Sequence, residues 1–240
     1  MSPALNLDNE PAVVLGPGLT VEPARASRWP VEVVAVTDLT AWYRRIEFAG
    51  HGLLARLQPQ PAHHLWLHLT GPAGQVDRAY SLVDPDPAAD RFSLDFVLHQ
   101  PAGPASKWAA AARPGAVLRL SDPPQQLVIP TDIRRAVLIG DASAASAMAS
   151  VRQALAADIS GTTLLVDPHP GLDRLPPTGA VQRLSALTAD AWAGIAVDPE
   201  RDWLWAAGER QLVKAVRHQA RQVWGLSRQR QHLQTYWIAS

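Results

Sequence analysis

The chain has 240 residues, 47% of them apolar, with 22 basic and 22 acidic side chains and a formal net charge of zero. That size supports one large core or two modest ones, and the even charge argues against general nucleic-acid affinity, so an anionic partner must be met by a local patch. The absence of cysteine excludes disulfides, thiolate metal sites, cysteine-ligated iron–sulfur clusters and cysteine nucleophiles.

The N-terminus lacks a basic-then-apolar signal pattern, and no apolar run approaches the roughly 20 residues a membrane helix needs. The expectation is a cytoplasmic monomer that acts on a small molecule and has no nucleic-acid or membrane partner. Residues 1–29 are rich in Pro, Ala and Gly without sustained periodicity and read as a loosely held arm. From Val31 the pattern favours strands. Val31–Val36 is one, Leu65-Trp66-Leu67-His68-Leu69 alternates, and Phe92, Leu94, Phe96 and Leu98 share a face. Val117–Leu120 is another, and turn clusters such as Gly71–Gly74 and Asp84–Pro87 lie between them. About six short strands at this spacing predict a small antiparallel barrel. One helix interrupts it from Pro104 to about Ala112, with Pro at its first position and Pro114-Gly115 beyond its end.

The second half alternates strands with helices. Ala136–Ile139 runs into Gly140-Asp141 and an Ala-rich helix to about Ala157. Thr162–Val166 and Ala180–Leu184 follow as strands. Trp203–Ala207 runs into Gly208-Glu209 and a helix to about Val223, and Gln234–Ile238 closes the chain. Such alternation predicts a parallel α/β sheet with right-handed crossovers. The expected division is an arm at 1–29, a β-barrel domain at 30–130 and an α/β domain at 131–240.

Arg78-Ala79-Tyr80-Ser81 is the most telling stretch, with Gly103-Pro104-Ala105-Ser106 downstream. An arginine two residues before a tyrosine on a strand can pair bidentately with a pyrophosphate while the ring stacks on a flavin. The serine can hydrogen-bond the ring edge, and free N–H groups at the start of the following helix point at the same phosphates. An edge-strand arginine beside a core tyrosine would leave the same residues. Gly140-Asp141 and Gly208-Glu209 stand at carboxyl ends of sheet strands, where open α/β sheets bind ligands. Neither is a G-x-G-x-x-G fingerprint, and an acid in a first helical turn is also a good helix starter.

Together these marks resemble the siderophore-interacting proteins, the flavin-dependent ferric-siderophore reductases of the ferredoxin-NADP reductase-like superfamily. The likeness runs from about Trp29 to the C-terminus. It includes Asp95-Phe96-Val97-Leu98-His99, Gly103-Pro104-Ala105-Ser106-Lys107-Trp108-Ala109, Pro114-Gly115, Trp205-Ala206-Ala207-Gly208-Glu209 and Tyr236-Trp237. The resemblance implies FAD against Arg78, Tyr80, Ser81, His99, Gly103, Pro104, Ala105 and Ser106. It also implies that Tyr236 and Trp237 approach the flavin from the second domain. NADH or NADPH would then dock at Gly140, Asp141, Ser143, Gly208 and Glu209, and Arg228 and Arg230 would meet an anionic ferric siderophore. Iron is then released by reducing Fe(III) to Fe(II), and no side-chain acid, base or metal ligand is strictly required because the cofactor carries the chemistry. His63 and His64 read as surface or loop residues, and the C-terminal run of Arg210, Lys214, Arg217, Arg221, Arg228 and Arg230 against Glu209 reads as a basic patch or a solvated face.

The chain departs from the family pattern at four places. Val83 stands where a second arginine is usual, Ala142 where a glutamate is, Ser121-Asp122-Pro123 in place of a Gly-Pro turn, and Ile238 where a basic residue follows Tyr-Trp. These departures leave two further readings open: a flavin-dependent biosynthetic enzyme acting on a small organic molecule, and a binding member without turnover.

Overall fold

A computed structural model describes residues 28–71, 74–125, 127–177 and 180–239. The expected N-terminal arm lies outside the described residues up to position 27, as do Pro72 and Ala73 of the first turn cluster. The first half holds strands β1 (Trp29–Thr40), β2 (Tyr43–Ala49), β3 (His64–Gly71), β4 (Gly74–Ser81), β5 (Val83–Asp86), β6 (Arg91–Val97) and β7 (Val117–Ser121), with helix α1 (Pro104–Ala111) before β7. They form one antiparallel sheet in the order β4-β3-β7-β1-β2-β6-β5. Period-two alternation sets its faces: Leu65, Leu67 and Leu69 point into the core while Trp66 stands out, and Phe92, Leu94 and Phe96 are buried.

The sheet curls until β4, first in the order, meets β6, with the Tyr80 and Phe96 ring centroids 4.5 Å apart. It stays open between β4 and β5. Only Leu82 separates these strands, Asp84 has φ +44°, and Pro85 has no N–H to give a ladder. The expected barrel is therefore an open, half-closed one. Helix α1 packs over its core: Ala105 and Ala109 are buried, and Trp108 lies 5.7 Å from Phe96 and 6.2 Å from Phe48.

The second half holds β8 (Arg135–Gly140), α2 (Ala145–Ala154), β9 (Ser160–Val166), β10 (Gln182–Leu184), α3 (Ala189–Ala193), β11 (Asp202–Glu209), α4 (Arg210–His218) and β12 (Gln231–Trp237). The helix expected to reach Ala157 ends earlier, where Leu155 turns extended. A π-helical segment, Gln219–Val223, carries the later helix to its expected end. The sheet is parallel throughout, in the order β10-β9-β8-β11-β12. Ala136–Gly140 and Trp203–Gly208 are buried on both faces, as parallel strands under helices must be. Strand order reverses between β8 and β11, so the ligand crevice of such a sheet falls at their carboxyl ends, Gly140 and Gly208.

The two sheets meet through a polar knot. Arg45 of β2 donates bidentately to Asp95 of β6 at 2.8 and 2.9 Å, and Ser146 of α2 donates its hydroxyl to the same carboxylate. The Tyr43 hydroxyl lies 3.2 Å from that of Ser146. Further across, Ala62 N–H donates to Ser150 Oγ at 3.3 Å and the Trp42 indole donates to Pro170 O at 2.9 Å.

Candidate functional site

Register and burial bring most of the expected flavin residues to one edge. In β4, Arg78 lies opposite Leu67 and Tyr80 opposite Leu65, so both share the face of β3 that points into the core. As β4 ends the sheet, their side chains reach past it. Arg78 is exposed and, among the described residues, donates only to its neighbour's carbonyl, Asp77 O, at 2.9 Å. Tyr80 rests on Phe96, and burial pushes its phenol up to about 12. Phe96 is thus a common floor, with Tyr80 on one side and Trp108 of α1 on another.

Helix α1 begins at Gly103, whose backbone is extended and which offers no side-chain cap. Pro104 has no N–H and Lys107 N–H already bonds Gly103 O, which leaves the N–H groups of Ala105 and Ser106 free of backbone partners among the described residues. A Cβ on Gly103 would lie 3.8 Å from His99 Cε1, so the exposed imidazole stands over this turn. Ser106 is buried, and its hydroxyl accepts the His99 N–H at 3.2 Å. Of the residues expected to touch the cofactor, Ser106 has its side chain turned inward to brace the turn, and Ala105 packs in the core. Only their backbone N–H groups face the opening.

The second sheet reaches the same edge through β12. Tyr236 packs on the cluster around Met148, Trp203 and Trp205. Burial pushes its phenol up to about 12, and the Ser81 hydroxyl beside it draws it back.

At the crevice, Asp141 is buried and saturated with hydrogen bonds. Its Oδ1 accepts from Ser143 N–H at 2.9 Å and Ser143 Oγ at 2.5 Å, and its Oδ2 from Glu209 N–H at 2.6 Å and Trp237 Nε1 at 2.9 Å. Desolvation raises its pKa and these four bonds oppose the rise. Gly208 has φ +138°, and a Cβ there would sit 2.6 Å from Asp141 Cγ. A Cβ on Gly140 would come within 2.8 Å of Met148 Cε and 2.9 Å of Ala144 Cβ. Glu209 caps α4, accepting from Gln211 and Leu212 N–H. Burial pushes its carboxyl up, but the N–H groups of Gln211, Ala239 and Leu212 outweigh that and hold it low.

The two basic residues expected to meet substrate part company. Arg230 forms a two-point pair with Asp132, one bond at 2.9 Å, while Arg228 is exposed.

The family model of the siderophore-interacting FAD-binding domain matches residues 66–127, and that of the siderophore-interacting protein matches 133–240. The chain belongs to the siderophore-interacting protein family. It is 28% identical over 220 residues to the mycobactin import ATP-binding/permease protein IrtA of Mycobacterium tuberculosis, covering 86% of this chain and 26% of that one. The chain thus spans about a quarter of the length of the curated relatives it matches, at 26%, 25% and 23%. Among solved structures, the siderophore-interacting protein SipS from Aeromonas hydrophila has a TM-score of 0.75 at 22% identity, covering 89% of this chain and 93% of that one. A ferredoxin NADP+ reductase from Neisseria gonorrhoeae with bound FAD and NADP has a TM-score of 0.65 at 14% identity, covering 88% and 100%. The half-barrel followed by a parallel sheet is the shared two-domain fold.

The matched FAD-binding domain makes FAD the cofactor. The residues present fit that group: one exposed guanidinium, two free N–H groups at a helix start, an open glycine turn and a tyrosine ring on a strand edge make a donor set for a pyrophosphate beside an aromatic ring. Val83, where the family usually has a second arginine, is buried at the start of β5, so no cation stands there.

Three features of the site were missed in the sequence. The Arg45–Asp95–Ser146 knot joins residues far apart in the chain, and no local pattern marks it. The Trp237–Asp141 bond likewise spans most of one domain. His63, expected at the surface or in a loop, lies in the loop before β3 but is buried: its Nε2 lies 2.9 Å from Asp122, its Nδ1 has no partner among the described residues, and desolvation lowers its pKa. It lines an open recess of about 420 Å³ with Arg56, Gln60 and Gln125, next to His64, which pairs with Ser81. Among the described residues, no group of three or more His, Asp or Glu side chains could hold a metal ion, and no helix is long and apolar enough to cross a membrane.

Proposed function

We propose that the protein is an NAD(P)H-dependent ferric-siderophore reductase working in the cytoplasm, with its first domain (30–130) holding FAD and its second (131–240) receiving NADH or NADPH. The observation that carries this reading is the shared carboxylate of Asp95, which binds Arg45 of the curled sheet and Ser146 of the helix that follows Gly140. It sets the sheet that carries Arg78 and Tyr80 against the carboxyl end of β8, where the nucleotide crevice lies.

Arg78 and the Ala105 and Ser106 N–H groups would bind the pyrophosphate, Tyr80 would support the ring from the barrel side, and Tyr236 would exclude water from the other. FAD, when bound, supplies the step from a two-electron donor to one-electron reduction of two Fe(III) ions. Both phenols stay protonated across the physiological range, being held at about 12. They therefore present neutral surfaces to a flavin. An anionic chelate would approach Arg228, with Arg56, held 4.7 Å over the Trp29 ring, as a further cation at the recess. The names of the IrtA and SipS relatives, and the fold shared with SipS, add support for a siderophore as cargo.

The test is NAD(P)H oxidation in the presence of a ferric siderophore, with Fe(II) captured by a ferrous-specific chelator. Two Fe(II) per NAD(P)H is the expected stoichiometry. The exposed Ile238 and the Arg230–Asp132 pair, which remove two cations from this side, favour a second reading: a flavin enzyme acting on a small organic molecule. Bound FAD with no ferric-chelate-dependent oxidation of NAD(P)H would select it.

A further inference from the structure

The Asp141 carboxylate offers about four acceptor directions, and all four are taken by protein donors. Three of those donors are local scaffold: Ser143 follows in the next turn, and Glu209 N–H caps the neighbouring strand end. The fourth is the indole of Trp237, which is 47% exposed. An exposed tryptophan ordinarily swings among rotamers. Here a buried carboxylate accepts its N–H at 2.9 Å, a charge-assisted bond. The main chain beside it is held separately: Trp237 lies opposite Glu209 after a register shift, and Ala239 N–H donates to Glu209 Oε1 at 3.3 Å. Strand, backbone and side chain together fix one flat apolar surface at the point where strand order reverses.

We propose that Asp141 is a positioning residue: it contacts no ligand, but holds the Trp237 indole at the crevice of β8 and β11 as a preset stacking surface for a planar ring of the pyridine nucleotide. This rests on the nucleotide-binding part of the proposed function. A ring already pinned loses little side-chain freedom when a second ring stacks on it, so the tether acts on nucleotide affinity.

The test has two arms. In the ¹⁵N-labelled apo-protein, the Trp237 indole resonance is identified by its loss in Trp237→Phe. Asp141→Asn, which puts an amide N–H₂ in place of an acceptor, is expected to shift that resonance and speed its exchange with water at least tenfold while the other indoles hold. An unmoved resonance would overturn the tether, whatever the enzyme's activity. In the FAD-loaded protein, Asp141→Asn and Trp237→Phe are each expected to raise KM for NAD(P)H about three- to tenfold, with the effect on KM rather than kcat. The double variant is expected to go no further than the larger single effect. Additive effects would mean that Asp141 touches the nucleotide itself and would overturn the proposal. If Asp141→Asn does not fold, Trp237→Phe decides alone, since it keeps an aromatic ring while removing the indole donor and part of the stacking area; an unchanged KM would overturn it. A wild-type protein that oxidises no NAD(P)H sinks the functional reading and leaves the indole resonance to judge the tether.

Discussion

Arg78 is exposed on an edge strand, bonded only to the adjacent carbonyl, yet aligned with a tyrosine that is packed. Its removal should therefore separate binding from stability. Arg78→Ala is expected to weaken FAD binding by about 1.5–3 kcal/mol, roughly ten- to more than a hundredfold, and to leave apo-protein melting nearly unchanged. Fluorescence quenching for affinity beside thermal melting checks it; a sharp drop in melting with intact affinity would make the arginine structural. His63 carries the opposite kind of prediction. Burial holds its pKa below the ordinary 6.5, so the folded state resists a proton that the unfolded chain accepts. Stability is complete above about pH 6.5 and declines as pH falls below it. His64 and His232 are lowered by burial too and add to the same slope. His63→Gln should flatten, without abolishing, the fall in melting temperature between neutral and mildly acidic pH; an unchanged slope would contradict the assignment.

Among elements, the joint between β2, β6 and α2 has most at stake. Asp95 is 2% exposed and depends on Arg45 for two bonds. Arg45→Ala would leave that carboxylate buried without its cation, at a cost of about 3 kcal/mol. The Asp38–Arg44 pair, between β1 and β2, is a control, since Asp38 is 56% exposed. Asp38→Ala should cost less than about 1 kcal/mol. Chemical denaturation of both variants checks the contrast, and equal losses would remove the special role of the knot. The same elements explain what the sequence hid. Strand β2 places Arg44 and Arg45 side by side within its apolar positions, which blurs the alternation. Strand β5 contains Asp84 and Pro85, the marks of a turn, and becomes a strand only because β6 lies alongside it. By contrast β3, β6, β8 and β11 were legible, since their apolar periods reflect burial on one face or both.

At the scale of the molecule, the order of elements carried the fold: short alternating strands, one Pro-led helix, then strand–helix alternation. The residues proposed to hold the flavin stand close in sequence for the same reason, since Arg78, Tyr80 and Ser81 lie within one strand and Gly103–Ser106 within one helical turn. The crevice was legible only as two Gly-acid junctions. What those acids do was not, because the donors to Asp141 come from residues 2, 68 and 96 positions away. Tertiary packing gives the Asp141 carboxylate four protein donors.

FAD held between the curled sheet and the parallel one, and reduced there by NAD(P)H, would give the protein a flavin spectrum. The most direct measurement is the visible spectrum of the protein reconstituted with FAD and freed of excess, recorded anaerobically before and after NADH or NADPH. An oxidised flavin spectrum at one FAD per chain is expected, bleaching with one of the two nucleotides and returning on adding a ferric siderophore. A protein that retains no FAD after reconstitution would contradict it.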